Sequence, residues 1–130
     1  MPSVRVLGRF VPTRLQSEVI ERELPSSADL PPCCARERVS VRTPDARVTA
    51  HPDNLQWHQD GGGMKGTTRH MIVWASEQPT ELQLPDGSVF IGDPFDLVWF
   101  DNDVVLHRQP TGTDEGQRWF TAIRCSGAVT

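Results

Sequence analysis

His58 and Asp60 stand two positions apart in "LQWHQDGGG", residues 55 to 63, and three glycines follow them. Side chains of an extended strand alternate between its faces, so an imidazole and a carboxylate at this spacing point the same way, about 7 Å apart. A strand that ends or bends at the glycine run lets both reach one metal ion. With a second imidazole from a later strand they make the two-histidine, one-carboxylate facial set of non-haem Fe(II) sites. Three protein ligands leave three positions open. A bidentate cosubstrate fills two of these and dioxygen the third.

His107, in "DNDVVLHRQP", is the candidate for the distal imidazole, with Val105 and Gln109 on its face and Val104, Leu106 and Arg108 pointing away. His51 and His70 are the rivals. His51 precedes Pro52 in a turn-like stretch, and His70 has the opposite parity from Met71 and Val73. Both contexts are more typical of surface or hydrogen-bonded histidines than of ligands. A dicarboxylate cosubstrate also needs a cation in the site. Arginine suits it, because its planar fork meets a carboxylate through two parallel hydrogen bonds. Arg118 opens the final strand pattern, "GQRWFTAIRC", eleven residues after His107. Arg124 shares its parity but lies roughly 20 Å further along an extended strand, so Arg118 is the better placed. An HxD tripeptide arises by chance about 0.3 times in a chain of this composition and alone decides little. The order HxD, distal His, then Arg is more specific. The plain alternative has His58 and Asp60 bonded to each other and to the loop, with Arg118 in a surface ion pair.

These residues need a β framework. From residue 54 onward the chain alternates short apolar runs with turn residues, predicting strands near 54–60, 69–76, 81–84, 88–91, 96–100, 103–109 and 117–125. Asp86-Gly87 is the strongest hairpin signal. Many short strands at close spacing predict a sandwich, barrel or jelly roll. Upstream, alternating Val4 and Val6 predict a strand. Thr13 followed by Gln16 has the pattern of a capping box, and Leu15, Val19, Ile20 and Leu24 trace an apolar stripe along a helix over 13–24 that Pro25 should end. Residues 25–35 are rich in proline and serine and read as irregular. In 36–50, alternating Val39, Val41 and Val48 predict one or two strands near an edge.

A chain of 130 residues has room for a single domain. Within it, 1–25 supply a strand and helix, 26–50 an irregular stretch that could border a pocket mouth, and 51–130 the β core. Net charge is −4, which does not support a nucleic-acid binder. No apolar run approaches the roughly 20 residues of a membrane span. "MPSVRVLGRF" lacks the long apolar segment and cleavage site of a secretory signal. Three cysteines, Cys33 and Cys34 being adjacent, make no disulfide framework and no CxxC pair. A reducing, cytoplasmic setting is expected. The cluster Arg36, Arg38, Arg42 and Arg47, interleaved with Glu37 and Asp45, reads as a solvated face.

The chain resembles the Fe(II)- and 2-oxoglutarate-dependent dioxygenases, and within them the compact prolyl-4-hydroxylase-like branch. "VRVLGRFVPTRLQSEVIEREL" is similar to that branch's opening strand and helix. "WHQD", "TRHMIVWAS", "TELQLPDGSVFIGD", "FDLVWFDNDVVLHRQP" and "GQRWFTAIRC" follow in the family's order. The resemblance implies a mainly β fold, a double-stranded β-helix (jelly roll, cupin-like) with one N-terminal helix. It implies that His58, Asp60 and His107 bind iron and that Arg118 holds the distal carboxylate of 2-oxoglutarate. The activity implied is hydroxylation of a C–H bond with release of succinate and CO2, with ascorbate as an in vitro supplement. The substrate is unidentified. Asp60 argues against the family's halogenases, where a small residue vacates that position. Two other classes fit the same residues: a cupin-like metal protein (an isomerase or a 2-oxoglutarate-independent dioxygenase), and a non-catalytic jelly-roll binding module.

Overall fold

The computed structural model of the chain describes residues 3–27, 39–42, 56–59, 68–108 and 119–126. Among them the protein is mainly β, with one helix and two antiparallel sheets. The elements run β1 (Val4–Arg9), α1 (Ser17–Ser27), β2 (Val39–Arg42), β3 (Thr68–Ala75), β4 (Glu81–Gln83), β5 (Val89–Ile91), β6 (Asp96–Asp101), β7 (Leu106–Arg108) and β8 (Phe120–Ser126). The larger sheet has the order β1-β6-β3-β8-β2 and the smaller one β5-β4-β7.

Alternation along the larger sheet produces three layers. Met71, Val73, Val98 and Phe100 turn one way and pack with Val105 and with Leu82 and Phe90 of the smaller sheet. Ile72, Trp74, Leu97 and Ile123 turn the other way and pack with Phe10 and with Ile20 and Leu24 of α1. The long central strand, β3, is therefore apolar on both faces, as a strand covered on both sides must be. Each large side chain buried this way contributes about 1.5–3 kcal/mol relative to exposure. The Trp74 indole N–H would be a liability in that layer. It donates to the Phe10 carbonyl oxygen at 2.9 Å, which removes the penalty.

The helix departs from its sequence expectation at both ends. It begins at Ser17 instead of 13, and Leu15 is exposed, while Val19, Ile20 and Leu24 are buried as expected. The capping box does not form. The Gln16 carbonyl accepts the first helical bond, from Ile20 N–H at 2.9 Å. Thr13 instead reaches Glu23, its backbone N–H donating to Oε1 at 2.8 Å and its hydroxyl to Oε2 at 2.7 Å. One acidic side chain satisfies both groups of Thr13, so the carboxylate outcompetes the local turn. Pro25 does not stop the helix, which runs to Ser27. Proline lacks one donor and fits helical φ, so in a last turn it forfeits only one bond.

Of the expected strand 54–60 the described residues 56–59 hold only a bridge at His58, and the other strands fall close to the expected spans. Asp86-Gly87 forms the β4–β5 turn, with Leu84 N–H donating to Ser88 O at 2.8 Å and Gly87 at φ 88°, a region glycine enters without strain. The Asp86 carboxylate accepts from the Ser88 hydroxyl at 2.6 Å and backbone N–H at 2.9 Å. β7 is shorter than expected because residues 102–104 form a turn. There the Asp101 carboxylate accepts from Asp103 N–H at 2.9 Å and the Asp101 carbonyl from Val105 N–H at 2.9 Å, a side-chain-mimicked turn that competes with the ladder. Within 36–50, Val39–Arg42 is a strand at the edge of the larger sheet, as the alternation of Val39 and Val41 predicts. No helix among the described residues is long and apolar enough to cross a membrane.

Candidate metal centre

His107 sits in β7, directly opposite Leu82 of β4. On its other side it pairs with His58, which forms a bridge to β7 outside the named strands. The two histidines exchange both backbone hydrogen bonds, His58 N–H to His107 O at 3.0 Å and His107 N–H to His58 O at 2.9 Å. Residues directly opposite in an antiparallel ladder share a face. The row His58, His107, Leu82 therefore runs across the smaller sheet on one side. That side is the inner one, because Leu82 belongs to the core between the sheets. The His107 ring lies 5.3 Å from the Phe100 ring of the larger sheet and is 6% exposed. The two imidazole centroids are 4.3 Å apart.

The tautomer of His58 follows from its partner. Its Nδ1 lies 2.7 Å from the Gln56 carbonyl oxygen. A carbonyl can only accept, so Nδ1 carries the proton, and in the neutral ring the lone pair lies on Nε2. Metal-binding histidines are held this way, the second nitrogen's hydrogen bond fixing both tautomer and ring orientation. Two imidazoles side by side at the rim of an apolar core suit a borderline divalent cation such as Fe(II).

The opposite face of the same row carries its own set of side chains. Arg108 donates from Nε to Glu81 Oε1 at 2.7 Å, and its guanidinium carbon lies 4.1 Å from the centre of the Trp57 ring. Gln59 donates its side-chain amide to the Asp103 carbonyl at 3.2 Å, tying the His58 segment to the turn that leads into β7.

The expected donors fare unequally. His58 and His107 are brought together from positions 49 residues apart. Asp60 and Arg118 lie outside the described residues, as does His51. Among the described residues no three His, Cys, Asp or Glu side chains form a metal-holding group. His70 lies away from the pair, as its parity predicts: its ring stacks on Trp99 with centroids 4.8 Å apart and planes 21° apart. Arg5 covers Trp99 at 4.8 Å. Position 124 is paired with Met71 in the larger sheet.

No family model, curated protein or solved structure matches the chain. The site rests on its own chemistry.

The sequence reads Trp57 as core or pocket wall and turns Arg108 away from His107; what it misses is that the two meet, and that Glu81 joins them. A signal existed. Trp57 and Arg108 each adjoin a candidate ligand and so must share the face opposite to it. Nothing in the sequence brought Glu81 to the same row, because the register of β4 against β7 is set by the fold.

Proposed function

We propose that this protein is an Fe(II)- and 2-oxoglutarate-dependent oxygenase that hydroxylates a C–H bond of its substrate and releases succinate and CO2. The His58–His107 pair carries the proposal: two imidazoles 4.3 Å apart on bridged neighbouring segments, one with its tautomer fixed, at the boundary of the core. His58 and His107 supply the two nitrogens, and Asp60, two residues along from His58, supplies the oxygen. Arg118 pairs with the distal carboxylate of 2-oxoglutarate, and its fork orients that cosubstrate. When bound, the iron supplies dioxygen activation coupled to decarboxylation of the cosubstrate. The protein's part is ligand geometry and a site from which water is excluded.

The winding of the chain supports a double-stranded β-helix. From β2 onward, successive segments visit the larger sheet, the smaller at His58, the larger at β3, the smaller at β4 and β5, the larger at β6, the smaller at β7 and the larger at β8. Apart from the β4–β5 hairpin, the chain changes sheet at every step, and a jelly roll is wound in that way from two facing sheets. This topology brings the His58 and His107 segments together at neighbouring positions. A reducing, cytoplasmic setting goes with this function, since the three cysteines offer no disulfide framework.

The test is succinate release from 2-oxoglutarate under air, with Fe(II) and ascorbate, across a panel of prolyl peptides, free amino acids, nucleobases and small metabolites. Turnover above the metal-free control supports the assignment, and acceptor-stimulated turnover names the substrate class. Metal binding with no response to 2-oxoglutarate transfers the site to the cupin-like class. Absence of both metal binding and turnover leaves a jelly-roll binding module.

A further inference from the structure

The His58 segment meets β7 through two backbone hydrogen bonds at a single described rung, whereas β4 joins β7 over three consecutive residue pairs. Side chains on the far face add fastenings of their own. Arg108 lies between two partners, Glu81 across one strand boundary and Trp57 across the other. Glu81 is its register partner in β4, and the ion pair is sheltered, with side-chain exposures of 29% for Arg108 and 13% for Glu81. The carboxylate anchors the guanidinium, whose central carbon lies over the Trp57 indole. Gln59, on the other side of His58, is tied to the Asp103 carbonyl. Both chain neighbours of His58 are thus fastened to the stretch that carries His107.

We propose that Arg108, oriented by Glu81 and stacked on Trp57, is a positioning residue that holds the His58 and His107 imidazoles in register from the outer face of the sheet. It touches neither imidazole and acts through the backbone of both strands. Nothing in the metal-ligand set itself requires an arginine here. The inference rests on the two-histidine centre described above, but its first readout does not depend on any metal.

The experiment compares the wild-type chain with Arg108→Ala, Arg108→Lys and Trp57→Leu. Amide hydrogen exchange at His58 and His107 is read against the core amide of Ile72, and Co(II) affinity is measured by titration. The expected result is exchange at His58 roughly tenfold faster in Arg108→Ala with Ile72 unchanged, and Co(II) affinity reduced on the order of 10–100-fold, the scale on which groups that orient ligands act. Arg108→Lys keeps the charge but loses the planar stack, and falls between. Unchanged exchange at His58 overturns the proposal. So does an equal rise at His58 and Ile72, which reports general loosening. If the wild type binds no Co(II), the metal assignment fails, and exchange alone decides the role of Arg108.

Discussion

The His58 and His107 rings sit 4.3 Å apart because their residues face each other at one rung of the smaller sheet. In the proposed site each ring supplies one of the two nitrogen donors. His58→Ala and His107→Ala should each lower Fe(II) or Co(II) affinity by at least about a hundredfold, the cost of losing a whole ligand exceeding that of losing a supporting group. Isothermal titration under nitrogen gives the answer. Retention of wild-type affinity in either variant would remove the pair from the metal site.

Arg118 separates the proposed chemistry from its nearest rival. Arg118→Ala should abolish 2-oxoglutarate binding and succinate release while leaving Co(II) affinity within about threefold, since a guanidinium pairs with the cosubstrate and not with the ion. Asp60→Ala should do the reverse first, weakening the metal. Anaerobic visible spectra of the Fe(II) protein with and without 2-oxoglutarate distinguish the two losses.

The layer under α1 is sensitive to one polar contact. Trp74→Phe keeps most of the apolar area but leaves the Phe10 carbonyl without the indole donor it has at 2.9 Å. An expected loss of about 1–3 kcal/mol follows from the unsatisfied buried group. Leu82→Ala, on the inner face opposite His107, should cost about 2–5 kcal/mol through the cavity it leaves. Urea denaturation of each variant measures both. A Trp74→Phe variant as stable as the wild type would show that the hydrogen bond contributes nothing net.

Acid should destabilise the fold partly through two surface carboxylates. The Thr13 backbone N–H, then its hydroxyl, hold Glu23 below its ordinary value, and the Ser88 hydroxyl, then its backbone N–H, do the same for Asp86. A carboxyl depressed in the folded state stabilises it fully above the unfolded value. That contribution disappears as pH falls through the folded value, here below the usual carboxylate range near pH 4. Glu23→Gln should therefore flatten the dependence of stability on pH as pH falls below the ordinary carboxylate range. NMR titration of the two carboxyl groups checks the direction of each shift.

Gly87 adopts φ 88° in the β4–β5 turn, and nothing lies within 4 Å of where an added methyl group would sit, so conformation alone opposes a side chain there. Gly87→Ala should cost about 1 kcal/mol, within the range known for the left-handed region. Thermal denaturation of Gly87→Ala and Gly87→Asn checks it, with Asn expected to be the milder change because its short polar side chain tolerates that region.

Several features of this protein are already determined by local sequence. The alternation of Met71 and Val73 against Ile72 and Trp74 sets a strand with two buried faces, and Asp86-Gly87 sets a hairpin, because strand parity and turn φ depend on neighbouring residues alone. The same parity turns His107 inward with Val105 and sets His70 apart. Other features come from tertiary structure. Thr13 is drawn to Glu23, ten residues away, instead of to its own helix turn. The meeting of His58 with His107, and of Arg108 with both Glu81 and Trp57, depends on which strands lie side by side. Strand neighbours are chosen by how the two sheets bury their apolar faces together, and that global condition leaves no mark at any one position.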